Sequence, residues 1–218
     1  MPEDNRITAL DAGSTRGRVA VVVDGEQVLD LPKAIVEKLG LRLGQSLLPA
    51  EQETIRQTTA LQEAKVAAIK ALGIRARTRS DLERRLLQRG LPPQAVAQTL
   101  DWLTDRKYLD DEQYAHERWQ ALSQRRLGAR AILHKLVQEG VPRPLADAVM
   151  AAQDYSLHET EQVRELALRR NEGLKKVPWR QRRQRLYAYL ARRGFDGDAI
   201  FDALAWLEVQ DGTSSEGE

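Results

Sequence analysis

The segment Leu82-Glu-Arg-Arg-Leu86-Leu-Gln-Arg-Gly90 sets a spacing from which the fold of this chain can be predicted. Leu82 and Leu86 are four residues apart, so their side chains lie on the same face of a helix. Gly90 follows after four more residues, and Leu91 comes next. This is the pattern of a helix that ends through a left-handed glycine and an apolar contact.

The same spacing occurs three times along the chain. The three copies are Leu82, Leu86, Gly90, Val96, Leu100; Ile132, Leu136, Gly140, Ala146, Met150; and Leu186, Leu190, Gly194, Ile200, Leu204. A repeat of about fifty residues is typical of a tandem array, and such arrays more often bind a partner than catalyse a reaction. We therefore predict a mainly α fold, an elongated and curved array of three three-helix repeats, preceded by a small β-rich lobe.

The N-terminal lobe differs from the rest of the chain in its residue pattern. Short β-favouring runs predict strands at residues 7–10, 18–23 and 27–31, with a last strand at 46–48. Asp24-Gly25 is a hairpin-turn signal. A short helix is expected from Pro32 to Leu39, closed by Gly40.

The predicted boundaries divide the chain into five parts: a β-rich lobe at 1–55, three-helix repeats at 56–108, 109–155 and 156–207, and an acidic tail at 208–218 that is expected to be disordered. Thr78 with Asp81, or Ser80 with Glu83, fits the cap of one helix. Asp110 or Asp111 fits the cap of another.

Composition excludes several classes of protein. The chain has no cysteine, so it has no disulfide and no thiolate zinc site. It has no apolar run approaching twenty residues and no signal-peptide pattern, so we expect a cytoplasmic protein without a membrane partner.

The net charge of +2 conceals a segregation of charge along the chain. Residues 1–55 contain six basic and nine acidic side chains, and residues 208–218 contain four acidic and none basic. Residues 56–207 contain twenty-eight basic and nineteen acidic side chains. A basic helical body predicts a nucleic acid or an acidic protein surface as partner.

No catalytic constellation is present in the sequence. The histidines, His116, His134 and His158, lack the spacing of metal ligands. Adjacent Asp110 and Asp111 are explained more simply as a helix cap than as a metal pair. We therefore expect no enzyme activity, no metal and no cofactor.

Clusters of basic residues, mostly arginine, are the candidate binding surface, because arginine forms bidentate contacts with carboxylates and phosphates. The candidates are Arg75, Arg77, Arg79, Arg84, Arg85 and Arg89 in the first repeat; Arg125, Arg126, Arg130 and Lys135 in the second; and Lys175, Lys176, Arg180, Arg182, Arg183, Arg185, Arg192 and Arg193 in the third. Trp102 and Trp206 occupy matching positions and are predicted to pack within their repeats rather than stack on bases.

Three motifs resemble those of the RecX family of recombinase regulators. They are Arg77-Thr78-x-x-Asp81-Leu82-x-x-x-Leu86, then Lys107-Tyr108-Leu109-Asp110-Asp111-x-x-Tyr114-Ala115, and Gly128-x-x-x-Ile132-x-x-x-Leu136-x-x-x-Gly140-Val141. The resemblance implies structural roles for Tyr108, Leu109, Asp110, Asp111, Tyr114, Gly128 and Gly140.

The resemblance also implies a function in recombination, DNA repair and the SOS response. RecX proteins bind the RecA–DNA filament along its groove and restrain its ATPase, strand-exchange and coprotease activities. We expect a monomer that binds RecA filaments, and single- and double-stranded DNA more weakly and in a salt-dependent way. Which basic residues contact RecA and which contact DNA is left open.

Two alternatives stay open at this point. Three-helix units can be helix-turn-helix modules, and residues 28–47 resemble the swapped-hairpin fold of bacterial transition-state regulators. The chain would then be a DNA-binding transcriptional or architectural factor, although the acidic lobe would repel phosphate. An enzyme that uses Asp110 and Asp111 is the least favoured class.

Overall fold

The computed structural model describes residues 4–152 and 155–215, with side chains for residues 4–152 and 159–211. The strands are β1 (Ile7–Ala12), β2 (Arg18–Val23) and β3 (Glu26–Pro32). The helices are α1 (Lys33–Leu39), α2 (Pro49–Leu72), α3 (Arg79–Gln88), α4 (Pro93–Asp105), α5 (Asp111–Ser123), α6 (Ala129–Gln138), α7 (Arg143–Ala151), α8 (Tyr155–Glu172), α9 (Trp179–Arg192) and α10 (Gly197–Ser215). Residues 4–75 with 82–108 form one compact unit, and residues 76–81, 109–152 and 155–215 form the other.

The N-terminal strands form an antiparallel sheet in the order β1-β2-β3. Asp24 and Gly25 both have positive φ, 50° and 90°, so the predicted hairpin turn is confirmed. The lobe core contains Ile7, Val21, Val23, Leu29, Leu31, Val36, Leu41 and Leu47. The strand predicted at 46–48 is wrong: Ser46 forms only an isolated bridge with Arg6, while Leu47 turns into the core.

Helix α2 joins the lobe to the first repeat without an interruption, so the boundary predicted between residues 55 and 56 falls inside this helix. A cluster of ion pairs connects the sheet to α2. The Arg18 guanidinium donates to Asp30 on β3, 2.8 Å away, and to Glu63 on α2. Arg56 of α2 also donates to the Val28 carbonyl at 2.9 Å. The lobe therefore packs directly on the first helix of the array.

The repeated apolar positions form the helical cores, as predicted. Helix α2 packs on α4; α5, α6 and α7 pack on one another; and α8, α9 and α10 do the same. All the apolar members of the three copies are buried, except Met150, which is partly exposed. Trp206 packs against the core of the third repeat. The chain is thus a mainly α array of three-helix repeats behind a small three-stranded lobe.

The three repeated glycines close their helices in the left-handed conformation. Their φ angles are 78° at Gly90, 95° at Gly140 and 81° at Gly194. In each case the next residue donates its N–H to a carbonyl in the last turn, as Val141 does to Leu136 at 3.0 Å. The predicted helix ends are confirmed.

Two of these glycines also pack against the start of another helix. The Thr78 hydroxyl, before α3, donates to the Glu139 carbonyl at 2.8 Å, next to Gly140. The Gly128 N–H, before α6, donates to the Arg193 carbonyl at 2.9 Å, next to Gly194. A side chain on Gly194 would lie 2.4 Å from Ala131. In both cases the C-terminal end of one helix, at its glycine, packs against the N-terminal start of another helix. We call this an end-to-start contact. It requires glycine because there is no space for a side chain and because the backbone is left-handed.

The predicted caps are resolved by the hydrogen bonds at two helix starts. Of the two options for α3, the structure uses Thr78, whose hydroxyl accepts from the Asp81 N–H at 3.1 Å. Of the two aspartates before α5, Asp110 is the cap, and its carboxylate accepts from the N–H groups of Glu112 and Gln113.

The C-terminal helix is longer than the sequence predicts. The sequence predicts that helix α10 ends near residue 208, but it continues to Ser215. Asp211 faces α8 and α9, where its carboxylate contacts Asn171 and Arg182. Residues 208–215, which the sequence predicts to be disordered, are therefore helical, and Asp211 attaches this extension to the rest of the repeat. Residues 216–218 of the predicted tail lie outside the described residues.

Candidate partner-binding surface

The acidic pair that could have suggested catalysis has structural partners. Asp110 caps α5, and the Asp111 carboxylate accepts from the Arg79 N–H at 2.8 Å. Burial raises the pKa of Asp111, and this hydrogen bond opposes the rise. Within the described part of the chain, no group of three or more histidine or acidic side chains could hold a metal ion. No described helix is long and apolar enough to span a bilayer.

The structure divides the predicted basic residues by accessibility. Exposed are Arg75, Arg84, Arg85, Arg89, Arg125, Arg130, Lys175, Lys176, Arg180, Arg183, Arg185 and Arg192. Partly buried are Arg79, Arg126, Lys135, Arg182 and Arg193, and Arg77 is buried. Most of the predicted surface is thus accessible, whereas six of its members are at least partly buried.

Arg77 differs most from the prediction, because only 7% of the residue is exposed. Its guanidinium donates to Asp81, which is also buried, at 2.7 Å. Removing one partner of such a buried ion pair strongly destabilises the folded protein, because the other charge is left buried and unpaired. Arg77 therefore pairs with Asp81 at the start of α3, and its burial leaves little of it accessible to a partner.

The accessible basic residues lie mainly on the second helix of each repeat. In α3, Leu82 and Leu86 face the core while Arg84 and Arg85 are exposed. Arg89, just after this helix, lines a groove of about 450 Å³ with residues of the lobe and α2. The first repeat thus presents its basic side chains opposite its buried leucines.

The second repeat uses two of its predicted residues to contact the third. Arg126 pairs with Glu165 of α8 at 2.9 Å. Arg130, at the start of α6, pairs with Asp196 at 2.6 Å, just before α10. These arginines hold the two repeats together, so the second repeat offers a weaker basic surface than the prediction assumed.

The third repeat carries the densest set of accessible cations. Arg180, Arg183 and Arg185 are exposed along α9, and Lys175 and Lys176 precede it. Arg182 on α9 and Arg193, the residue after this helix, are only partly exposed. The Arg182 side chain is 12% exposed and pairs with Asp211 at 2.8 Å, while Arg193 donates to the Arg126 carbonyl at 3.3 Å.

Comparison with known proteins gives the family. A regulatory protein RecX from Chlorobium limicola is 30% identical over 146 residues, which cover 66% of this chain and 89% of that protein. One from Mycolicibacterium vanbaalenii is 35% identical over 170 residues, covering 72% and 87%. The chain belongs to the RecX family.

The match extends to the repeats and to the fold. The RecX first three-helix domain matches residues 64–103, and the RecX third three-helix domain matches residues 158–204. A crystal structure of regulatory protein RecX superposes with a TM-score of 0.64 at 22% identity, over 90% of this chain and 98% of that one. RecX from Lactobacillus salivarius gives 0.64 at 19% identity, over 69% and 97%. The helical array is therefore the RecX fold.

The RecX motif residues have mainly structural positions. Leu109 is buried, and Gly128 and Gly140 make the end-to-start contacts described above. The Tyr114 hydroxyl and the Arg118 guanidinium both donate to the Glu139 carboxylate. Burial raises the pKa of Glu139, but these hydrogen bonds outweigh it and leave the pKa below its ordinary value.

Tyr108 is the exception among the RecX motif residues, because it is 65% exposed. Its ring centroid lies 6.3 Å from that of Trp102. Both rings line a groove of about 520 Å³ in the first unit, together with Ile69, Leu72 and Arg106. Tyr108 thus contributes to an accessible surface rather than to a core.

The Arg182–Asp211 pair gives a test of the longer α10 helix. Asp211→Asn removes the charge from a partly buried pair, and we expect a loss of about 1 kcal/mol in the free energy of unfolding. The melting temperature should fall by about 2–4 °C. Asp202→Asn, at an exposed position of α10, is the control and should melt like the wild type. Equal melting of both variants would show that Asp211 does not anchor the helix.

Proposed function

We propose that this chain binds the RecA–DNA filament and inhibits the ATPase, strand-exchange and coprotease activities of RecA. The observation that carries the proposal is the placement of exposed arginines on the second helix of the first and third repeats, opposite buried leucines. Membership of the RecX family, whose curated relatives are named regulatory proteins, supports a regulatory role.

The physical argument for a filament partner is one of linked weak contacts. An exposed ion pair contributes only about 0.2–1 kcal/mol. Several such contacts made to one long partner act at a high effective concentration, so their combined affinity can exceed each contact by orders of magnitude. A repetitive filament offers the array matching sites in succession, whereas a small isolated partner does not.

The proposal is tested by the rate of ATP hydrolysis by RecA filaments assembled on single-stranded DNA. Adding the full chain should lower this rate, and the chain should sediment with filaments at concentrations at which it does not bind the bare strand. Sequence-preferring binding to bare duplex, without an effect on RecA, would instead support the transcriptional or architectural alternative.

A further inference from the structure

A groove between α9 and α10 is lined by aromatic residues that the regulatory proposal does not use, beside two of the α9 arginines that it does use. Its volume is about 480 Å³, and it is lined by Trp179, Arg180, Arg183, Gln184, Tyr187, Phe201, Leu204 and Glu208. The centroids of the Tyr187 and Phe201 rings lie 5.3 Å apart at an interplanar angle of 36°. Aromatic rings and guanidinium groups therefore line one small surface of the third repeat.

The core of the third repeat is filled without the rings of Tyr187 and Phe201. The core of the third repeat is filled by Leu186, Leu190, Ile200 and Leu204 among others. Tyr187 and Phe201 each follow a core residue on the accessible side and are 37% and 49% exposed. Neighbouring aromatic rings that remain accessible to solvent are typical of a binding surface rather than of a packed interior.

The charge of the groove selects an anionic ligand. Arg180 and Arg183 are exposed, and neither has an ion-pair partner among the described residues. Lys175 and Lys176 precede the same helix. Glu208 lies at the groove as well and repels phosphate, so a phosphate backbone would follow the arginines.

The aromatic groove of the first unit offers a contrast. There the Trp102 ring is covered by Lys65 Nζ at 4.8 Å and by the Arg106 guanidinium at 4.7 Å from its centroid. Tyr187 and Phe201 carry no such cation among the described residues. Their rings can therefore accept another flat π system, which the Trp102 ring cannot do without displacing a cation.

We propose that Tyr187 and Phe201 stack on unpaired nucleobases of a single strand while Arg180 and Arg183 contact its phosphates. Flat bases and phosphates are the two groups that such a lining recognises, and stacking needs base faces that a duplex keeps covered. This rests on the proposed function, because it assigns a single-strand contact to one surface of the same regulator.

The test compares full-length variants in binding to a fluorescent oligothymidine at low salt. Phe201→Ala should weaken binding by about tenfold or more, since stacking against an aromatic ring contributes strongly to single-strand affinity. Phe201→Leu keeps an apolar side chain without the π face and should lose nearly as much. Leu168→Ala, which removes another exposed apolar side chain of the third repeat outside this groove, is the matched control and should bind like the wild type.

A second arm separates bases from phosphates. An abasic strand of equal length should bind the wild type as weakly as Phe201→Ala binds oligothymidine, and a duplex should also bind weakly. Binding of oligouridine is measured in the same way, to compare an RNA strand with a DNA strand as the ligand of the groove. Thermal unfolding of each variant shows that a loss of binding is not a loss of fold.

Unchanged oligothymidine binding by the folded Phe201→Ala variant would overturn the proposed groove. Loss of RecA inhibition by that variant with intact oligonucleotide binding would identify the groove as a protein-docking surface and also overturn the assignment. The proposed function is measured separately, by inhibition of RecA ATP hydrolysis by the wild type, so either idea can fail alone.

Discussion

Gly194→Ala should destabilise the protein by at least about 3 kcal/mol, whereas Gly90→Ala should cost only about 1–2 kcal/mol. Both glycines close the second helix of a repeat with nearly the same backbone, at φ of 81° and 78°. The left-handed conformation therefore penalises a side chain equally at both positions. The difference between the variants comes from what the new methyl group meets.

At Gly194 an added Cβ would lie 2.4 Å from both the Cβ and the backbone N of Ala131, in the first turn of α6. Backbone cannot move aside as a flexible side chain can, so the helices must separate. At Gly90 no atom outside the adjoining residues lies within 4 Å of the added Cβ. Any stabilisation from restricting the unfolded chain is the same for both substitutions and cancels in the comparison.

Urea unfolding followed by circular dichroism measures the two free energies under the same conditions. Gly140→Ala should fall between them, because its Cβ meets the Thr78 hydroxyl at 2.6 Å and other contacts at 3.2 Å or more. If Gly194→Ala and Gly90→Ala lose equal stability, the end-to-start contact does not constrain the repeat, and only the backbone conformation accounts for the glycines.

This comparison shows which part of the fold the sequence could predict. A spacing of Leu82, Leu86 and Gly90 reports local helix geometry, so the helices and their left-handed ends were predictable. The contact of Gly194 with Ala131 joins residues that are 63 positions apart. No local pattern records such a contact, so the second reason for glycine at this position needed the structure.

The same limit applies to the candidate surface. A cluster of arginines in the sequence predicts a basic face, but it does not separate Arg183, which is exposed, from Arg182, which pairs with Asp211. Arg182 and Arg183 are adjacent in the sequence, and the residue that pairs with Arg182 lies on another helix, α10. Tyr187 and Phe201 were missed for a related reason, because they approach each other only when α9 packs on α10.

Replacing Arg84, Arg85, Arg180 and Arg183 together by glutamate should abolish inhibition of RecA ATP hydrolysis, raising the inhibitory concentration by roughly a hundredfold or more. Each exposed contact contributes at most about 1 kcal/mol, and reversal adds repulsion. Single reversals should therefore shift inhibition only modestly, and raised salt should weaken the wild type. Arg77 and Arg182 are left intact because they pair inside the fold.

The matched control reverses four exposed basic residues of the lobe, Arg16, Lys33, Lys38 and Arg42, and so changes the net charge by the same amount. If both quadruple variants lose inhibition equally while their helical circular dichroism is intact, the effect comes from net charge and not from a surface. Full inhibition by the folded variant with reversed α3 and α9 residues would place the RecA-binding surface elsewhere. Loss confined to that variant would support a RecA-binding surface on these two helices, because the two quadruple variants carry the same net charge.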